Sequence, residues 1–260
     1  MLPLLISKLV RASLLNVAVT SLETRLSAGP MNGQDLVRLE KNFAEAAKTN
    51  QIAEGLIGER ALFCSYFNLG PGALATGLSS GGVASAGGSG IESFLMTLTG
   101  FGQRDERFYL HALDTYISLS TNQPVDRQAL SNHEAQIIQM SRQKYYILSS
   151  MLLPALEKSV VKDYNSQASL RATSVGLAIE RYRLAKGNLP TQLDDLVPAF
   201  IPAIPADPYD GKPLRYRPLT NGYVVYSIGS DGEDNGGLER PASAKPSDPT
   251  HYDVGFTVER

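Results

Sequence analysis

Apolar residues recur at helical spacing through most of the chain, and the pattern changes only near its end. Leu2 to Leu26 reads as one amphipathic helix, interrupted by Lys8 and Arg11 and closed by Gly29 and Pro30. Asn32 is placed to cap a second helix to about Lys48, with Leu36, Leu39, Phe43 and Ala47 on one side; Gln51 to Phe67 continues as a third. Arg104 to Leu119 sets Phe108, His111, Ala112, Thr115 and Leu119 along one face, and Asp105 and Glu106 suit its first turn. After Pro124, Asp126 can cap a helix from about Arg127 to Leu153. Leu130, Ile137, Met140, Tyr145, Leu148 and Leu152 mark its buried side, and Pro154 bends or breaks it. Helices of similar length joined by short turns predict antiparallel neighbours, as in a bundle or a stack of helical hairpins.

Beyond Pro154 the alphabet widens. Gln167 to Lys186 carries Ala168, Ala172, Val175, Ile179 and Tyr182 at helical spacing, with Leu170, Leu177 and Leu184 on a neighbouring stripe. Gly187 and Pro190 end that helix, and Thr191 with Asp194 offers a cap for a short helix through Val197. Pro198, Pro202, Pro205 and Pro208 keep the following stretch extended. Leu214 to Arg217 and Tyr223 to Ile228 are rich in strand formers and flank a turn from Pro218 to Gly222, which predicts a β-hairpin; Tyr252 to Val258 supplies a third strand. Three strands on one long helix bury a face that neither element buries alone. The expected fold class is therefore α+β. It comprises an N-terminal all-α domain over 1–153, a bundle or helical-hairpin unit, and a C-terminal domain over 154–260 with a long helix on a small antiparallel sheet.

The order of these last features resembles the globular part of the major pseudopilin of bacterial type II secretion systems. The shared elements are the helix ending through Tyr182, Gly187 and Pro190, the Asp207-Pro208-Tyr209 run, the hairpin, and the loop Ser227-Ile228-Gly229-Ser230-Asp231-Gly232. Met151 to Lys158 is similar to the segment that follows the membrane span in some pseudopilins. The likeness covers roughly the last 110 residues. It departs upstream: His133 to Tyr146 holds Glu134, Gln136, Gln139, Arg142, Gln143 and Lys144 where a pseudopilin has a continuous apolar span. The reading is a pseudopilin-like domain placed at the end of a different protein, with no membrane span in this chain. A long helix starting almost at Met1 suggests that the chain lacks an upstream portion, and the N-terminal half is similar in style to bacterial envelope proteins in which an anchor and helical pairs precede such a domain.

The acidic loop is the main candidate for chemistry. Asp231, Glu233 and Asp234 converge within a few residues, and Gly229, Gly232, Gly236 and Gly237 let the backbone fold tightly. Calcium takes six to eight oxygens from carboxylates, carbonyls and water, which a short flexible loop can supply. The resemblance implies a calcium loop using Asp231, a later acid best matched by Asp253, and loop carbonyls such as that of Ile228, with Glu233 and Asp234 at hand. The stretch between the two aspartates is longer than in the family and includes Pro241, Pro246 and Pro249, and it lacks EF-hand spacing. A solvated acidic turn after a hairpin is the competing reading.

Composition removes several other functions. At 260 residues and 43% hydrophobic content the chain can bury a large core, and a formal charge of −2 without a basic block argues against a nucleic-acid or membrane-surface footprint. Single Cys64 forms no internal disulfide and reads as a small buried hydrophobe. Gly70 to Gly90, rich in glycine, serine and alanine, reads as a flexible surface loop or linker. Its Gly77, Ser79 and Gly81 match a nucleophile-elbow pattern without the flanking strand and helix, and Gly70 and Gly72 make only a fragment of a dinucleotide fingerprint. His111 reads as a packed core or rim residue; His133 and Glu134 lack the second histidine of a zinc helix, since position 137 is Ile137; His251 stands apart. Arg181 and Arg183 read as a solvated edge. The expected function is non-enzymatic: an extracytoplasmic structural or interaction protein with unidentified protein partners, which the resemblance alone places in the bacterial cell envelope. The alternatives are an enzyme with a cleft between the domains, using Arg181, Asp207 or Asp210, and a secretion-apparatus subunit without its leader and span.

Overall fold

A computed structural model describes residues 4–48, 52–63, 101–144, 146–239, 241 and 252–260. Cys64, Tyr145, His251, Pro246, Pro249 and the 70–90 stretch lie outside them. The described residues form six α-helices, α1 (Leu5–Ser27), α2 (Gly33–Lys48), α3 (Ile52–Phe63), α4 (Phe101–Ser120), α5 (Arg127–Lys144) and α6 (Ile147–Lys186). They are followed by an antiparallel sheet in the order β1 (Arg215–Leu219), β2 (Gly222–Ser227), β3 (Val254–Glu259). This is a mixed α and β fold, as the residue pattern predicts at that level. By length and composition α1 is apolar enough to cross a bilayer.

Local chemistry explains the element ends. Asn32 Oδ1 accepts the Asp35 N–H at 2.8 Å, the cap expected for α2. Gly187, at φ 80°, closes α6 and donates its N–H to Arg183 O. The short helix after it is a single 3-10 turn, Leu193–Leu196, and the acid that fastens it is Asp195 rather than Asp194. Asp195 Oδ2 accepts the Thr191 N–H and hydroxyl, each at 2.8 Å.

Three expectations are corrected. Pro154 lies inside α6, and the interruption falls between Lys144 and Ile147. Proline already has a helical φ and forfeits one N–H; burial of Leu153, Leu156 and Val160 holds the helix through it. Pro218 is not in the turn but in β1 opposite Tyr223, leaving Thr220 and Asn221 as the connection. β1 is an edge strand, where a missing donor is tolerated. The buried side of α4 runs through Tyr109, Ala112, Leu113, Tyr116 and Leu119, and His111 is exposed. The larger stripe wins because tyrosine and leucine bury more area than histidine and threonine.

The chain forms two compact units whose membership is not sequential. The first takes Met1–Lys8, Ile52–Thr121 and Gln128–Val160; the second takes Leu9–Gln51, Asn122–Arg127 and Val161–Arg260. In the first, Gly55 lets α3 approach the Leu5 backbone, where a Cβ would lie 3.1 Å from Leu5 Cα. Glu59 accepts the Leu5 N–H at 3.0 Å, and His133 packs edge-on against Tyr116. Glu157 hydrogen-bonds Glu134, and burial, reinforced by that neighbour, pushes it up to about 7.

In the second unit α6 is buried nearly all round from Ala172 to Glu180 rather than along one face. Val19, Leu22 and Leu26 of α1 and Leu36 and Phe43 of α2 share one core with Val175 and Ile179 of α6 and with Tyr223, Val225, Phe256 and Val258 of the sheet. Gly176 admits the Phe256 ring, since a Cβ there would lie 2.3 Å from it. The outer edge of β3 is covered without a strand: Glu23 and Ser27 of α1 accept the N–H groups of Thr257 and Glu259.

Candidate functional site

The loop after β2 starts from a buried anchor. Asp207, 1% exposed, accepts the Tyr209 N–H at 2.9 Å, the Ser227 hydroxyl at 2.7 Å and the Ile228 N–H at 3.0 Å. Arg215 on β1 completes the set, donating to Asp207 Oδ2 at 2.8 Å and to Asp210 Oδ2 at 2.6 Å. Four donors on one buried carboxylate are what its burial requires. The connector that carries Asp207 is thereby pinned to the start of the acidic loop. Ile228, expected to lend its carbonyl, has its N–H held by Asp207 and its side chain buried.

From Gly229 the chain turns back over the outer face of the sheet. Gly229, Gly232, Gly236 and Gly237 all have φ between 68° and 80°, the left-handed region that a side chain disfavours. Gly237 also sits so close to Val224 that a Cβ would lie 2.8 Å from it. Leu238 O then accepts the Asp253 N–H at 2.9 Å, and Glu239 bridges Asp253 as a parallel partner at the start of β3. The second aspartate is therefore brought beside the loop despite the long intervening segment.

Of the predicted ligands, Asp231 and Asp253 share a neighbour, Asn235. Asp253 is 4% exposed, and its two oxygens accept the Gly237 N–H at 2.7 Å and the Asn235 N–H at 3.4 Å. Asp231 accepts the Glu233 N–H at 3.1 Å and faces the Asn235 amide at 3.5 Å. Asn235 thus links both acids, through its backbone and its side chain. Burial raises the pKa of Asp253, its two N–H partners oppose the rise, and the charges of Asp234 and Asp231 add to it. An acid raised by burial, and further by neighbouring acids, gains from a nearby cation.

The other two predicted ligands are engaged differently. Asp234 turns to Arg215, whose Nε is 3.3 Å from its Oδ2, and its Oδ1 accepts the Gly236 N–H. Arg215 compensates part of that charge, and Asp234 still acts on Asp253. The Glu233 residue is exposed. Among the described residues no three His, Cys, Asp or Glu side chains are grouped to hold a metal ion. An ion here would draw two carboxylates from the chain and the rest of its shell from the Asn235 amide oxygen, loop carbonyls and water.

The remaining polar candidates serve packing. Arg181 is not a solvated edge: it pairs with Glu40 of α2, donates to Phe200 O at 3.0 Å and lies 5.7 Å from the Phe200 ring centroid. Arg183 pairs with Glu180, which is 1% exposed and also bound by Arg260. Asp207 and Asp210 are both engaged by Arg215. The sequence reading did not foresee the anchoring by Asp207 or the link through Asn235; the only local signal was Asp207 before a proline. Comparison of the chain with family models, curated proteins and solved structures finds no match.

Proposed function

We propose that this chain is a non-enzymatic structural or interaction protein of the bacterial cell envelope, acting outside the cytoplasm. Its C-terminal part is a pseudopilin-like module whose acidic loop takes a calcium ion. The observation that carries the reading is that Asn235 bonds both Asp231 and Asp253, at a loop built on left-handed glycines and anchored by Asp207. A buried aspartate beside a second acid in this loop carries an electrostatic cost that a divalent cation would offset, and the ion would fasten the loop to the start of β3. The role of the ion is to stiffen a surface that protein partners recognise.

A ligand that binds only the native state raises the melting midpoint in proportion to the logarithm of its concentration. Calcium added to metal-free chain is expected to raise the midpoint progressively, with D231N and D253N insensitive. Because the ligands must be ionised and Asp253 is shifted upward, the calcium effect is expected to fade on acidification at a pH above the ordinary aspartate range. A midpoint indifferent to calcium at neutral pH favours the solvated turn.

A further inference from the structure

We propose that Arg127 sets the cation affinity of the acidic loop by serving as its internal counter-cation, an inference that rests on the calcium reading above. Arg127 is the first residue of α5, far from the loop in sequence, yet its Nη1 donates to Ser230 O at 3.3 Å. Its guanidinium also fills the space in front of Gly232: a Cβ there would lie 1.7 Å from Nη1 and 1.9 Å from Cζ. Ser230 and Gly232 are the chain neighbours of Asp231, so the cation touches the backbone on both sides of the first proposed ligand.

The stretch that delivers Arg127 is tightly fixed. Val125 donates its N–H to Pro208 O at 2.9 Å, and the Tyr164 hydroxyl donates to Asn122 O at 2.6 Å. Gln123 is held from both ends, accepting from Arg171 at 2.6 Å and donating to Gln167 at 2.9 Å. The position is otherwise a poor one for a cation, because the first turn of a helix carries the positive end of its dipole. An acidic loop opposite that turn offsets the penalty.

Two consequences follow from placing a fixed positive charge there. The guanidinium repels a divalent ion, and it occupies a loop carbonyl of the kind calcium uses. Arg127 therefore offsets part of the loop's negative charge when calcium is scarce and lowers its affinity when calcium is present. The residue is half-buried at the rim and the backbone bonds of its stretch do not depend on its side chain, so replacing it leaves the fold in place.

The test is calorimetric titration of calcium chloride into the full chain, wild type beside R127Q and R127K. R127Q is expected to bind calcium about three- to thirtyfold more tightly, with R127K close to wild type, and the gap is expected to narrow as salt screens the charge. Equal or weaker binding by R127Q, or a gap indifferent to salt, overturns the role of Arg127 while leaving the calcium loop standing. Absence of calcium binding in all three proteins removes the loop reading and this inference with it.

Discussion

Glu23 Oε1 accepts the backbone N–H of Thr257 at 3.0 Å, joining residues 234 apart in sequence. The bond caps one open donor on the edge of β3, and Ser27 caps the next at 3.2 Å. Burial pushes the Glu23 carboxyl from 4.5 up to about 7; the Thr257 N–H opposes the rise and the Glu239 charge adds to it. Between those values the folded chain holds a proton that the unfolded chain has released. The stability Glu23 contributes is therefore complete below about pH 4.5 and is lost as pH rises through about 7. E23Q keeps an acceptor and has no proton to lose. Urea denaturation is expected to show E23Q gaining ~1–2 kcal/mol on wild type between pH 5 and pH 8, a figure discounted for the solvent that reaches this half-buried group. A difference between the two proteins that does not change with pH contradicts this account of the edge.

Asp207 gathers four donors at a fully buried carboxylate, whereas Asp210 offers Arg215 a partly solvated partner. Removing one side of a buried pair leaves the other charge uncompensated. D207A is expected to destabilise the chain by about 3–5 kcal/mol and D210A by about 1 kcal/mol or less. Equal losses in denaturant titrations contradict the anchoring role of Asp207.

Three glycines separate crowding from backbone strain. A Cβ at Gly222 would lie 1.7 Å from Val258 O, and one at Gly176 would lie 2.3 Å from the Phe256 ring; Gly236 has open space but a φ of 68°. G222A and G176A are expected to cost about 1–3 kcal/mol each, because strand or ring must move. G236A should cost about 1 kcal/mol from its backbone alone. Melting midpoints that place G236A lowest would reverse that order and count against the packing described for the sheet.

Much of the local architecture is legible in the sequence, because capping and turn chemistry are local. Asn32 caps α2, Gly187 closes α6, and the strands around Asn221 and Gly222 pair as a hairpin. Periodicity does not say what a buried face meets. Ala172 to Glu180 is buried because α1 and α2 share its core together with the sheet, and that arrangement depends on contacts between distant segments. The candidate site divides in the same way. The acids and glycines of the loop are visible as composition, but the pairing of Asp234 with Arg215, and the parts played by Asn235, Asp207 and Arg127, enter only through the fold.

Asp231 and Asp253 are proposed to hold one calcium ion between them. Equilibrium dialysis of the full chain against radioactive calcium counts that ion directly. The account predicts saturation at about one calcium per chain, lost in a D231N/D253N double variant. No saturable binding by the wild type, or the same binding in the double variant, would contradict it.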